Sequence, residues 1–281
     1  MKSNNKILKV LDILIPAICI VAALSAAIYI FVVKKQYSAA ENQYKEIEQI
    51  AGITEHPKDM NIVKNDEVGK DTDADEKDPY EETFLNLNID FEALEEINPD
   101  VVGWLYIPIL DLSYPVVQGT DNEYYLNHIY DGDANFSGSI MLDCENNPDM
   151  TDHNTFIYGH HMKNKTMFGI LSNILKNPDL IDDDPYIYYY TRDHAYKYRM
   201  FSTFVTTTNS FVYLMSDDRD QLNAYLEKTD MVNLYKKEEN RKMYPNSVKN
   251  IITLSTCNGT HTDRRTIVQA YLNDDYLIPA F

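Results

Sequence analysis

Cysteine is scarce in this chain, and its scarcity excludes several architectures. Three cysteines in 281 residues, Cys19, Cys144 and Cys257, are too few and too scattered for a disulfide framework. None falls at the CxxC spacing of a structural zinc site. Positive charge is also short, with 25 Lys and Arg against 44 Asp and Glu and a net charge of −19. That balance excludes a nucleic-acid partner and a polybasic membrane patch, both of which need clustered cations. Glycine (9) and tryptophan (1) are sparse while tyrosine (22) is abundant, a composition that favours a β-rich globular body.

Charge is missing altogether from Ile13 to Val33. These 21 residues (ILIPAICIVAALSAAIYIFVV) are long enough to cross a bilayer core as a helix. A cleaved signal peptide is the rival reading, since Ser25-Ala26-Ala27 offers a small-residue cleavage site. The apolar run continues past that site, which favours an uncleaved anchor. The sequence therefore predicts a cytoplasmic N-terminus over 1–12, a single-pass transmembrane anchor over 13–33, and the acidic remainder outside the cell membrane. Cys19 lies in the span and is inert there.

Residues 34–82 are predicted as a stalk and acidic linker. Polar helix formers occupy 36–60 and end near Pro57. Residues 61–82 hold nine acidic residues and three lysines with almost nothing to bury, the signature of an extended spacer. Asp71, Asp73, Asp75 and Glu82 fall at calcium-loop spacing, but Glu76 stands where that loop needs glycine.

The folded domain is predicted over 83–281. Asp90 caps a short helix over Phe91–Ile97. Short apolar runs at 101–108, 114–118, 139–142 and 155–158 follow, separated by Asp, Asn, Gly and Pro. A helix is expected over 167–175, a hairpin over 186–191 and 195–206, an amphipathic helix over 218–235, and two strands at the end. Many short strands with a few inserted helices predict a mainly β fold that closes into a barrel.

The chemistry concentrates in that last pair. Ile251 to Cys257 is a β-branched run that delivers a cysteine at its end, a polar loop with Gly259 follows, and Arg264-Arg265 opens the next run. Two strands joined by that loop bring Cys257 and an arginine to the same end, where positive charge favours the thiolate. A lone cysteine ending a core strand is more often simply buried, so a partner is needed. Asn154–Met162 supplies one: a short apolar strand and a glycine turn present His160 and His161. A zinc set of Cys144, His153, His160 and His161 lacks ligand spacing. Nothing calls for a metal or an organic cofactor.

Together YGHHM, TLSTC and the arginine opening the final strand resemble a sortase of class B. The resemblance runs from about Asn98 to Leu272 and includes GWLYIP, YPVVQGTDNEYYL and MFGIL. It implies an eight-stranded β-barrel and a membrane-anchored cysteine transpeptidase of Gram-positive bacteria. Such an enzyme cleaves a C-terminal sorting motif in secreted proteins and transfers the product to an amine of the cell-wall precursor or of a pilin. Class B favours an NPxTx-like motif over LPxTG. Carried over by motif, Cys257 is the nucleophile and His160 the catalytic histidine, with His161 where asparagine is frequent. The family arginine stands five residues before an alanine, so Ala270 selects Arg265 over Arg264. Ser255 and Thr256, just before the nucleophile, are candidates to line the substrate groove. Two other readings stay open: a thiol protease of the same fold that hydrolyses the thioester, and a membrane-tethered binding module without chemistry.

Overall fold

The computed structural model describes residues 4–53, 62–64, 83–85, 87–214, 219–236, 242–245, 247–258 and 261–278. The chain divides into two compact units, 1–42 and 43–281. Helix α1 (Asn4–Ile50) carries the apolar run. From Leu14 to Val32 its side chains are exposed, and the helix is long and apolar enough to cross a membrane.

The second unit begins ahead of Thr83, where the sequence places the start of the folded domain. At the end of α1 and just past it, Tyr44, Ile47 and Ala51 are buried, a stripe at spacings of three and four residues. The helix stops at Gly52 rather than near Pro57. Gly52 adopts φ 79°, its N–H donates to the Gln49 carbonyl (3.0 Å), and the Ile53 N–H donates to that of Glu48 (3.0 Å). These paired bonds satisfy the last carbonyls and turn the chain at a residue that has no Cβ to clash. Within the stretch read as a spacer, β1 (Ile62–Lys64) pairs antiparallel with β2 (Thr83–Leu85), so a hairpin frames the acidic residues. The calcium-loop candidates between them lie outside the described residues. Helix α2 (Phe91–Ile97) is capped as expected, the Asp90 carboxylate accepting from the Ala93 N–H at 3.0 Å.

Eight strands then close the predicted barrel: β3 (Val101–Ile107), β4 (Leu112–Val117), β5 (Ile140–Leu142), β6 (Asn154–Tyr158), β7 (Tyr186–Tyr190), β8 (His194–Thr207), β9 (Ile251–Asn258) and β10 (His261–Leu277). Round the barrel the order is β10-β8-β7-β3-β4-β5-β6-β9, and β9 pairs back onto β10. The helix expected over 167–175 is a 3-10 turn at Phe168–Leu171 running into α3 (Ser172–Lys176); Gly169 lies so close to the Met162 backbone that a side chain there has no room. Helix α4 (Arg219–Val232) packs Leu222, Tyr225 and Leu226 with Phe201 of β8 and Ile251 of β9. All five residues of β7 are buried, which accounts for the tyrosine-rich run there.

Under α4 a buried polar cluster ties three strands together. The Thr253 hydroxyl (β9) donates to Asn154 Oδ1 (β6) at 2.7 Å, and the Gln269 amide (β10) donates to the Tyr225 hydroxyl at 2.6 Å and to Thr253 Oγ1 at 3.1 Å. Exchanging the Thr253 hydroxyl for a methyl takes away the donor to Asn154 Oδ1 and one of the two bonds of the Gln269 amide. Thr253→Val is therefore expected to destabilise the protein by about 1–3 kcal/mol, read as a lowered urea midpoint with an unchanged m-value.

Candidate active site

Strands β6 and β9 run parallel, with Tyr158 opposite Ser255. The Gly159 N–H continues the ladder to the Ser255 carbonyl at 3.3 Å. His160 stands two residues beyond the last paired residue of β6, and Cys257 two residues beyond Ser255 in β9. On the other side of β9, β10 runs antiparallel and sets Arg265 directly opposite Cys257. Directly opposed residues project from the same face of a sheet, and successive residues alternate. Cys257 and Arg265 therefore share a face, while Arg264 projects from the other and is exposed.

That face opens into a cleft of about 310 Å³. Cys257, His160 and Arg265 all line it, as do Ser255 and Thr256, so every site residue expected from the sequence is brought to one place. Arg264 and His161 are not among the lining residues. His161 is half-buried, and burial with the nearby Lys165 and Lys176 charges holds its imidazole below the usual histidine range.

The His160 ring is oriented by backbone. Its Nε2 lies 2.7 Å from the Leu126 carbonyl oxygen. A carbonyl only accepts, so Nε2 carries the hydrogen and Nδ1 is left to exchange a proton with a ligand. Around it the walls are fixed by hydrogen bonds. The Tyr213 and Ser255 hydroxyls are 2.7 Å apart, and the Tyr158 hydroxyl donates to Asp143 at 2.6 Å. Burial raises the Tyr213 phenol; the Ser255 hydrogen bond and the Arg265 charge oppose that rise. The Thr256 hydroxyl is buried and has no hydrogen-bond partner among the described residues. Cys144 is a free thiol off the cleft, raised by burial and the neighbouring Asp143 and Glu145 carboxylates, an environment that suppresses thiolate.

The cleft also takes in Asn122, Leu126, Met141, Tyr158, Gly159, Thr208 and Tyr213. Four of these, Asn122, Leu126, Tyr158 and Gly159, sit inside motifs already singled out, in YPVVQGTDNEYYL and YGHHM. Thr208 and Tyr213 follow β8 in a stretch with no local pattern, and only the closing of the barrel brings them to the site.

Comparison with known proteins agrees with this geometry. Residues 105–273 match the sortase domain. Sortase B of Listeria monocytogenes is 34% identical over 194 residues, covering 65% of this chain and 75% of the relative. Among solved structures, sortase B of Bacillus anthracis superposes with a TM-score of 0.62 at 26% identity, covering 85% of this chain and 99% of that one. A Staphylococcus aureus sortase B–substrate complex gives a TM-score of 0.56 at 32% identity, covering 65% and 83%. A closed eight-stranded barrel, a thiol, an imidazole and a guanidinium around one cleft, and these likenesses converge: the chain belongs to the sortase family, as a sortase B-like cysteine transpeptidase.

Proposed function

We propose that this transpeptidase cleaves a C-terminal sorting motif in secreted proteins through a thioester on Cys257. The observation that carries the reading is the meeting of His160, Cys257 and Arg265 in one cleft, with Cys257 and Arg265 paired directly across β9 and β10. Cys257 Sγ, its proton taken up by His160 Nδ1, attacks the scissile carbonyl; the C–N bond breaks, and Nδ1 passes that proton to the leaving amine. The same nitrogen then takes a proton from an incoming amine, which displaces the thiolate and forms a new amide, so one difficult exchange is divided into two. Arg265 stays protonated and cannot act as base; its guanidinium holds the carbonyl oxygen as charge develops there. Ser255 and Thr256 are residues of the cleft wall and line the groove for the peptide.

The finer assignments follow from class. The favoured motif is NPxTx-like, in preference to LPxTG, and the acceptor is an amine of peptidoglycan precursor or of a pilin. Residues 13–33 anchor the chain in the cytoplasmic membrane with the barrel unit outside the cell. The solved sortase B–substrate complex of the S. aureus relative supports the reading that this chain binds a substrate of the same kind.

The full chain in detergent, incubated with quenched peptides carrying NPxTx and LPxTG cores with and without an amine, tests this directly. Wild type is expected to cleave the NPxTx peptide and form an amine adduct by mass. Cys257→Ala is expected to do neither. Cleavage without adduct under any acceptor moves the reading to a hydrolase, and no cleavage at all moves it to a binding module.

The two arginines separate in the same assay. Arg265→Lys keeps the charge but loses the planar fork, and kcat is expected to fall about a hundredfold. Arg264→Ala, an exposed change on the opposite face, is expected to stay within about twofold of wild type.

A further inference from the structure

The His160 imidazole depends on the Leu126 carbonyl, and the support of that carbonyl leads back to the N-terminal helix. Gly138 lies beneath both groups. At φ 57° it occupies the left-handed region, and a Cβ there would stand 2.6 Å from the Tyr125 oxygen, 2.8 Å from the Leu126 oxygen and 3.0 Å from His160 Cδ2. A side chain at this position must push the carbonyl, the ring or both. Only glycine leaves the pair undisturbed.

The peptide group joining Gly138 to Ser139 is held at both ends. Its N–H, that of Ser139, donates to the Tyr125 carbonyl at 2.9 Å. Its oxygen, that of Gly138, accepts from the Tyr44 hydroxyl at 2.9 Å, with Ser139 Oγ a longer second contact at 3.3 Å. The resulting chain runs from Tyr44 through the Gly138–Ser139 peptide to Tyr125, and the next carbonyl along, Leu126, holds His160 Nε2. The hydrogen bonds polarise one another as far as the Tyr125 carbonyl, and the Leu126 carbonyl, one residue on, is held with it through the backbone. Tyr44 also reaches the other side of the histidine turn. Its ring meets Tyr114 edge-on at 5.1 Å, and the Tyr114 hydroxyl accepts from the Met167 N–H at 3.1 Å, Met167 being the residue bridged to His161.

We infer that Tyr44, acting through Gly138, is a positioning residue for His160. The end of the N-terminal helix is thereby part of the active-site support, although Tyr44 touches no cleft atom. This inference rests on the proposed role of His160. It assigns a function to a residue that the sequence places in a stalk, and it predicts a loss in chemistry rather than in substrate binding.

Tyr44→Phe in the full chain removes one hydroxyl and keeps the ring that packs on Tyr114. Losing one net hydrogen bond from the support is expected to lower kcat about fivefold with KM unchanged. The rate at which iodoacetamide alkylates Cys257 should stay the same, and the His160 15N spectrum should shift away from the Nε2–H tautomer. Gly138→Ala, which pushes directly on the same carbonyl, is expected to lower kcat further, by roughly a hundredfold. An unchanged kcat in Tyr44→Phe, or a parallel fall in kcat, alkylation rate and thermal midpoint, overturns the inference in favour of ordinary packing. His160→Ala is measured alongside. If it retains turnover, the role given to His160 fails and this inference with it; if it is inactive while Tyr44→Phe is unaffected, only the positioning role of Tyr44 fails.

Discussion

Two strands hydrogen-bonded in parallel must finish at the same end of a sheet, and β6 and β9 are such a pair. Parallel neighbours cannot be joined by a tight turn, so a long crossover must separate them in sequence. Here the crossover contains β7, β8 and α4, which is why His160 and Cys257 are 97 residues apart and yet line one cleft. Antiparallel β10 then returns from Cys257 through a short loop and sets Arg265 opposite it. Cys257 and Arg265 are thus placed by main-chain ladders and His160 by the turn that ends β6, and the loops supply walls around them.

What keeps those ladders in register lies one layer below. Asn154, Thr253 and Gln269 each come from one of the three strands and meet around the Tyr225 hydroxyl. A slip of one residue in any strand would turn its member of the cluster to the opposite face and bury it without partners. It would also move a reactive group away from the cleft. The same four side chains therefore hold the fold and the catalytic geometry together. A hydrophobic cluster of equal volume would hold the strands but would specify their register less sharply.

Local chemistry made much of this legible. A β-branched run ending in Cys257 and a strand and glycine turn ending in His160 are local patterns, while the choice of Arg265 over Arg264 came through the resemblance, by its distance from Ala270. The Asp90 cap and the 186–206 hairpin were likewise readable, because their signals are complete within a few residues. Pairing was not. Nothing local states that β6 lies beside β9, and Tyr213 and Thr208 reach the cleft only through that non-local arrangement. The buried stripe of Tyr44, Ile47 and Ala51 was hidden for another reason: few apolar positions interrupt a polar helix, and they follow directly on a much stronger apolar run. Gly52 was the available signal for where that helix stops.

The hairpin β1–β2 gives the acidic stretch an unusual setting. Its two ends are brought together by three paired residues on each side, Ile62–Lys64 and Thr83–Leu85, after the chain has already joined the barrel unit at Tyr44. Closing a loop between fixed ends becomes only slowly more costly with length, by about 0.6 kcal/mol for each doubling. The cost of holding the two ends together therefore falls on the strands themselves, and the Leu85 carbonyl of β2 accepts from the Tyr190 hydroxyl of β7, so one end of the acidic stretch is moored to the wall of the barrel.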